Sequence, residues 1–158
     1  MPGSPPFTQR FRISAEDQHK RSPFNARLCA SIAEAPDIAE FLSSAPLEQQ
    51  LPVLLLASVH SIVLAEPELD LAAWYPTVSA APRDDDAFPA FARLCRAREA
   101  EIRSLISTRA TQTNEVGRCS LFLPALDLLA AEFGTIGLAD IGTSAWLNLH
   151  LDRYHYVY

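Results

Sequence analysis

Residues 136–149 read IGLADIGTSAWLNL, and this stretch decides whether the chain is all-helical or ends in an α/β unit. Ile136, Leu138, Ala139 and Ile141 make a short apolar run that reaches Asp140-Ile141-Gly142, the pattern of a buried strand. Thr143 to Leu149 then looks like a helix start. It is the strongest strand candidate in the chain. A lone strand cannot form a sheet, so it either pairs with a partner or leaves the fold incomplete at this point.

Outward from that stretch the pattern is helical. Residues 114–132 are rich in Leu and Ala and are stopped by Gly134. Thr108–Thr113 is a polar connector. Before it, a helix from about Ala87 to Ser107 is expected, capped by Asp86 and tolerating Pro89 in its first turn. Its apolar stripe is Phe88, Phe91, Leu94, Cys95, Ile102, Leu105 and Ile106, and Arg93, Arg96, Arg98, Glu99, Glu101 and Arg103 form a solvated face. Residues 77–86 are a loop. Its Asp84-Asp85-Asp86 run carries no spaced cation-ligand pattern, so dipole and cap roles are expected and metal is not. Residues 68–76 are irregular and close on Trp74-Tyr75-Pro76. Pro46 is expected to start a helix through Gln50 to about Ala65, residues 37–44 a shorter one. Ser22-Pro23 opens a helix with Phe24, Leu28, Ile32 and Ala35 on one face. Residues 7–21 are amphipathic, with Phe7, Phe11 and Ala15 at four-residue spacing.

The chain has 158 residues, 49% hydrophobic and 20% charged, enough apolar material to offset the entropy of ordering one domain. Its formal net charge of −6 excludes a general nucleic-acid binder, which needs a basic surplus. Lys20 is the single lysine, so no polybasic membrane patch exists. The longest apolar stretch, Leu51–Ala65, is broken by Pro52, Ser58, His60 and Ser61, and is too short and polar to span a bilayer. Cys29, Cys95 and Cys119 form no paired motif and read as buried thiols. With no secretory pattern at the N-terminus, the expected location is the cytoplasm.

Three groups of residues carry chemistry. The strand–Asp-x-Gly–helix unit resembles the opening of a nucleotide-binding Rossmann layout, in which backbone N–H groups at a helix start face a ligand. Arg109, Thr111, Gln112, Thr113, Asn114 and Glu115 crowd into a short connector, with Arg118 one turn later. Thr113 or Asn114 suits a cap and Glu115 the first turn. Arg109, Gln112 and Arg118 need either one another or a ligand. His60 lies within the apolar helix, where a hydrogen-bonded core histidine is the plain reading. His150 to His155 matches no zinc spacing, so no metal is expected.

The string from Thr111 to Arg118, TQTNEVGR, the later DIGTSAWLNL and Asp152-Arg153-Tyr154-x-Tyr156 resemble the bacterial family called domain of unknown function 2332. Arg21-Ser-Pro-Phe24, the helix reaching His60 and Trp74-Tyr75-Pro76 match as well. The resemblance implies a helical N-terminal part followed by a Rossmann-like half similar to S-adenosylmethionine-dependent methyltransferases. Two departures stand out. Trp146 occupies a turn position where members commonly carry glycine, and the chain stops at Tyr158, before the later strands.

The expected fold is therefore mainly α, a bundle of about six helices ending in one β-strand and the first turn of a truncated Rossmann-like unit. The expected domains are a disordered 1–6, a helical 7–134 and an incomplete 135–158. The chain is expected not to be catalytic alone and to hold no cofactor. In a complete relative, Glu115 and His60 would be catalytic, with Glu115 the general base. Arg109, Gln112, Asn114 and Arg118 would bind substrate, and Asp140, Gly142 and Asn148 would be vestigial contacts to S-adenosylmethionine. The alternative is a helical interaction or regulatory module that buries its orphan strand and aromatic tail in a second copy or a partner.

Overall fold

The computed structural model describes residues 5–111, 116–141 and 147–156. Among them the chain is mainly helical, with seven α-helices and five 3₁₀ segments. It divides into two compact units, Met1–Thr111 and Gln112–Tyr158.

In the first unit α1 (Phe7–Gln18) packs chiefly on α2 (Pro23–Ala33). The helix begins at Pro23 as its sequence directs, but Ser22 contributes its backbone carbonyl to Ala26 and no side-chain cap bond. Pro36 opens the four-residue α3 (Pro36–Ala39), which tightens into a 3₁₀ segment, Glu40–Ser44. The helix expected from Pro46 is split. Leu47–Gln49 is a 3₁₀ turn, and α4 runs from Pro52 to Ala65. Pro52 is the cause, because its ring bars the preceding residue from helical angles, and Leu51 is extended at φ −106°, ψ 134°.

A 3₁₀ segment, Asp70–Trp74, buries Leu71 and Trp74. The helix expected from Ala87 to Ser107 is also two pieces, α5 (Phe88–Ala97) and α6 (Glu99–Thr108), separated at Arg98 with φ −117°, ψ 31°. Ala87, not Asp86, is the N-cap of α5 and makes no side-chain cap bond, while Asp86 accepts the Phe88 N–H at 2.9 Å. The expected stripe is the core: Phe91, Cys95, Ile102 and Ile106 are fully buried against Phe11, Ile32, Leu42, Leu55 and Val59. The opposite face carries the expected charges. Arg93 pairs with Asp70, Arg96 with Asp37, Arg98 with Glu66 and Glu101, and Arg103 with Glu99.

The acidic run of the loop is fully engaged. Asp84 pairs with Arg27, Asp85 with Arg83 and the Trp74 Nε1–H, and Asp86 takes the Phe88 N–H. Arg83 lies flat over the Trp74 ring at 4.1 Å. Among the described residues no cluster of three or more metal-ligating side chains occurs.

The second unit holds a 3₁₀ turn, Val116–Arg118, then α7 (Cys119–Phe133) and a 3₁₀ segment, Leu147–Arg153. Gly134 at φ 78° ends α7, in the left-handed region that glycine enters without a Cβ penalty. The strand expected at residues 136–141 is absent among the described residues, which hold no strand at all. A strand needs a neighbour to receive its N–H and C=O groups, and none of the described segments supplies one. The α-helix expected to follow is a 3₁₀ segment broken at His150, so the described residues form no Rossmann-like unit. Gly142 and Trp146, on which that turn depended, lie outside the described residues, as do residues 1–4 of the expected disordered N-terminus.

Candidate functional site

The second unit brings three of the sequence-nominated residues to one cavity of about 490 Å³, lined by Arg118, Asp140 and Asn148 with apolar walls that include Phe122, Leu126 and Leu138. Each arrives from a different element. Arg118 directly precedes α7, Asp140 lies in the irregular segment after Gly134, and Asn148 is the second residue of the 3₁₀ segment. That segment is held by its own tail, since the Tyr154 hydroxyl donates to the Leu147 carbonyl and the Tyr156 hydroxyl to the Leu151 carbonyl, both at 2.6 Å.

Polar contacts fix the cavity's floor. Cys119, fully buried as the first residue of α7, points its thiol at the Asn148 Oδ1 at 3.6 Å. Asn148 in turn donates its Nδ2–H to the Asp140 carboxylate at 3.4 Å. Asp140 is therefore oriented by Asn148, and Asn148 by Cys119. The result is a carboxylate and a guanidinium on the rim of an apolar hollow. That pairing suits a ligand with one cationic or hydroxyl group, one anionic group and a flat or aliphatic body.

Two further nominated residues, His60 and Arg109, are described within the first unit. His60 is half-buried on α4, its Nε2 2.7 Å from the Thr77 Oγ1 and its ring stacked on Tyr75 at 4.7 Å between centroids. Burial holds its imidazole below the ordinary histidine pKa. Tyr75 is itself buried, edge-on to Phe24 at 4.9 Å, and burial raises its phenol well above the ordinary value. Arg109 is exposed at the end of α6 and donates its backbone N–H to Leu105. Gln112, Asn114 and Glu115 lie outside the described residues.

Sequence reasoning assigned Cys119 only as a buried thiol and missed that it anchors Asn148. The available signal was its place in the first turn of the helix, next to Arg118. It also missed Gln49, whose Oε1 accepts the Thr111 N–H at 3.0 Å and ties down the start of the polar connector.

Among the described residues no helix is long and apolar enough to cross a membrane. No curated protein and no solved structure matches the chain. One family does, over residues 8–158, and its description is that of an uncharacterised protein conserved in bacteria. With nearly the whole sequence inside that match, the chain belongs to the bacterial family DUF2332.

Proposed function

We propose that the second unit forms one wall of an S-adenosylmethionine site in a methyltransferase-like protein, and that this chain is not catalytic by itself. The observation that carries the reading is the meeting of Asp140, Asn148 and Arg118 at a single cavity. Its volume falls within the range of small-molecule sites, roughly 300–1,000 Å³. The apolar walls suit a purine, the Asp140 carboxylate suits an ammonium or hydroxyl donor, and the Arg118 guanidinium suits a carboxylate. The residues present thus fit the group, which would supply an electrophilic methyl. This chain's part is to bind and orient. Asn148 holds the Asp140 carboxylate, and Cys119 holds Asn148.

In this reading residues 136–141 become a strand once neighbouring strands offer hydrogen-bond partners. Glu115 is the general base, His60 a second catalytic candidate, and Arg109, Gln112 and Asn114 the substrate contacts. Trp146 stands in sequence where relatives of the family resembled commonly carry glycine, which would allow closer approach of a ligand.

Titration calorimetry of the chain with S-adenosylmethionine tests the proposal. Trp146→Gly is expected to strengthen binding, and adding Asp140→Ala to that variant to weaken it at least tenfold. Absence of binding heat from both the wild type and Trp146→Gly at a few hundred micromolar would refute it.

A further inference from the structure

The cavity wall supplied by α7 continues into an apolar stripe that the second unit leaves open. Leu121, Phe122, Leu128, Leu129 and Phe133 are 77, 51, 74, 45 and 67% exposed. Of the 15 residues in α7 only Cys119 is buried. An apolar helix face this broad belongs against another element, not in water.

The arrangement of the stripe says what covers it. Arg118, Leu121, Ala125, Leu128 and Glu132 recur at alternating three- and four-residue steps, the spacing of a helix–helix seam. The seam has opposite charges at its ends and a small residue at its centre. Those features complement a reversed copy of themselves.

We propose that α7 packs antiparallel on α7 of a second copy, about a two-fold axis at Ala125, and so seats on the α7 wall of the cavity. In that register Arg118 lies beside Glu132 of the second copy, and the reciprocal pair forms at the other end. Leu121 meets Leu128 and Leu129 of the second copy, and alanine on alanine lets the two backbones approach closely. A parallel pairing would set like charges together at both ends. The guanidinium has five donors, so this contact is compatible with those Arg118 makes within its own chain.

Leu121, Phe122, Leu128, Leu129 and Phe133 are all at least 45% exposed, and Ile141 and Leu138 extend this apolar surface at 99 and 48%. An anionic lipid surface is a poorer occupant, since residues 119–149 contain three acids (Asp127, Glu132 and Asp140) and no lysine or arginine.

The inference stands apart from the cofactor reading, because the face it uses is formed without ligand. It is tested by sedimentation velocity of the full chain, without ligand, from low micromolar to a few hundred micromolar. The wild type is expected to convert from a 17.4 kDa species to one of twice that mass. Leu128→Glu, at a site exposed in the monomer, is expected to stay monomeric with an unchanged circular dichroism spectrum. Arg118→Glu and Glu132→Arg should each weaken the dimer at least tenfold, and the double reversal should restore it. A wild type that stays monomeric throughout would overturn the inference. So would a dimer indifferent to both single reversals, or a monomer that co-sediments with phosphatidylglycerol vesicles through Leu128. A dimer without cofactor heat refutes the cofactor reading alone, whereas cofactor binding by a strict monomer refutes this one alone.

Discussion

Replacing Tyr75 with phenylalanine removes one oxygen from the core of the first unit, and the structure fixes the sign of the effect at two pH values. The ring is 5% exposed, stacked on His60 and edge-on to Phe24, and these contacts survive in Phe. Among the described residues no hydrogen bond to the Tyr75 hydroxyl is formed. At pH 7 its loss should therefore be neutral or stabilising, by up to about 1 kcal/mol, since a buried hydroxyl without a partner costs free energy. The alkaline effect is larger. Burial raises the folded phenol's pKa above the ordinary 10.0, with Cys95 beside it adding to the shift. Between the unfolded and folded values the unfolded chain loses a proton that the folded chain keeps, so wild-type stability is complete below pH 10 and falls as pH rises. At pH 11 that loss is about 1.4 kcal/mol for one group, and Tyr75→Phe does not suffer it. The Cys95 thiol, pushed up from 9.0 to about 12, adds a larger loss, borne by wild type and variant alike. Urea midpoints at pH 7 and pH 11 read the difference, with an unchanged slope confirming that the same unit unfolds. A variant less stable than wild type by more than about 1 kcal/mol at pH 7 would mean that the hydroxyl is bonded. A gap that does not widen at pH 11 would mean that the phenol ionises freely in the fold.

Two further outcomes follow from the same unit. His60 has a lowered pKa, so below the ordinary 6.5 the unfolded chain takes up a proton that the folded chain refuses. Stability is full above pH 6.5 and declines as pH falls towards the folded pKa. His60→Gln should flatten that acid limb in thermal melts, and an unchanged limb would clear His60 of responsibility for it. Ile102 is fully buried in α6, so Ile102→Ala should cost about 2–5 kcal/mol and Ile102→Val about 0.5–1.5. Equal urea midpoints for the two variants would show that the site collapses around the missing atoms.

The core of the first unit was legible because burial and helical period coincide. Phe11, Leu28, Ile32, Phe91, Cys95, Ile102 and Ile106 were all picked out by three- and four-residue spacing. The break at Arg98 was not legible, since Cys95 and Ile102 stay seven residues apart, a spacing that an unbroken helix would give as well. Trp74 and Tyr75 looked like the end of an irregular stretch and are core residues, because what buries them is distant in sequence. The partners of the acidic loop were hidden in the same way, with Arg27 lying 57 residues from Asp84. At the candidate site, Arg118 stood out as a polar residue beside apolar helices, while Asp140 and Asn148 were reached only through the strand–Asp-x-Gly–helix pattern and the family resemblance. Cys119 did not, because its partner Asn148 lies 29 residues away. The strand at residues 136–141 failed for a related reason. Its local pattern is satisfied, but a strand is defined by hydrogen bonds to a neighbour, which no local pattern contains.

The contrast between the units locates where function must be sought. The first unit satisfies itself: its apolar stripes face a continuous core, its charged faces pair across helices, and its acidic loop is bonded throughout. The second unit has residues as apolar as any in the chain, yet among its described residues only Cys119 and Leu151 are buried. Exposed leucine and phenylalanine on this scale are costly unless something covers them, at about 25 cal/mol per Å² of apolar surface. Stability alone gives no reason for α7 to expose so many leucine and phenylalanine side chains, because a solvated face would serve an isolated helix better. The composition of α7 is therefore explained by an occupant, and the charge pattern of its seam favours a second copy. The polar residues spared from that apolar surface (Arg118, Glu132, Asp140 and Asn148) are the ones left to choose which.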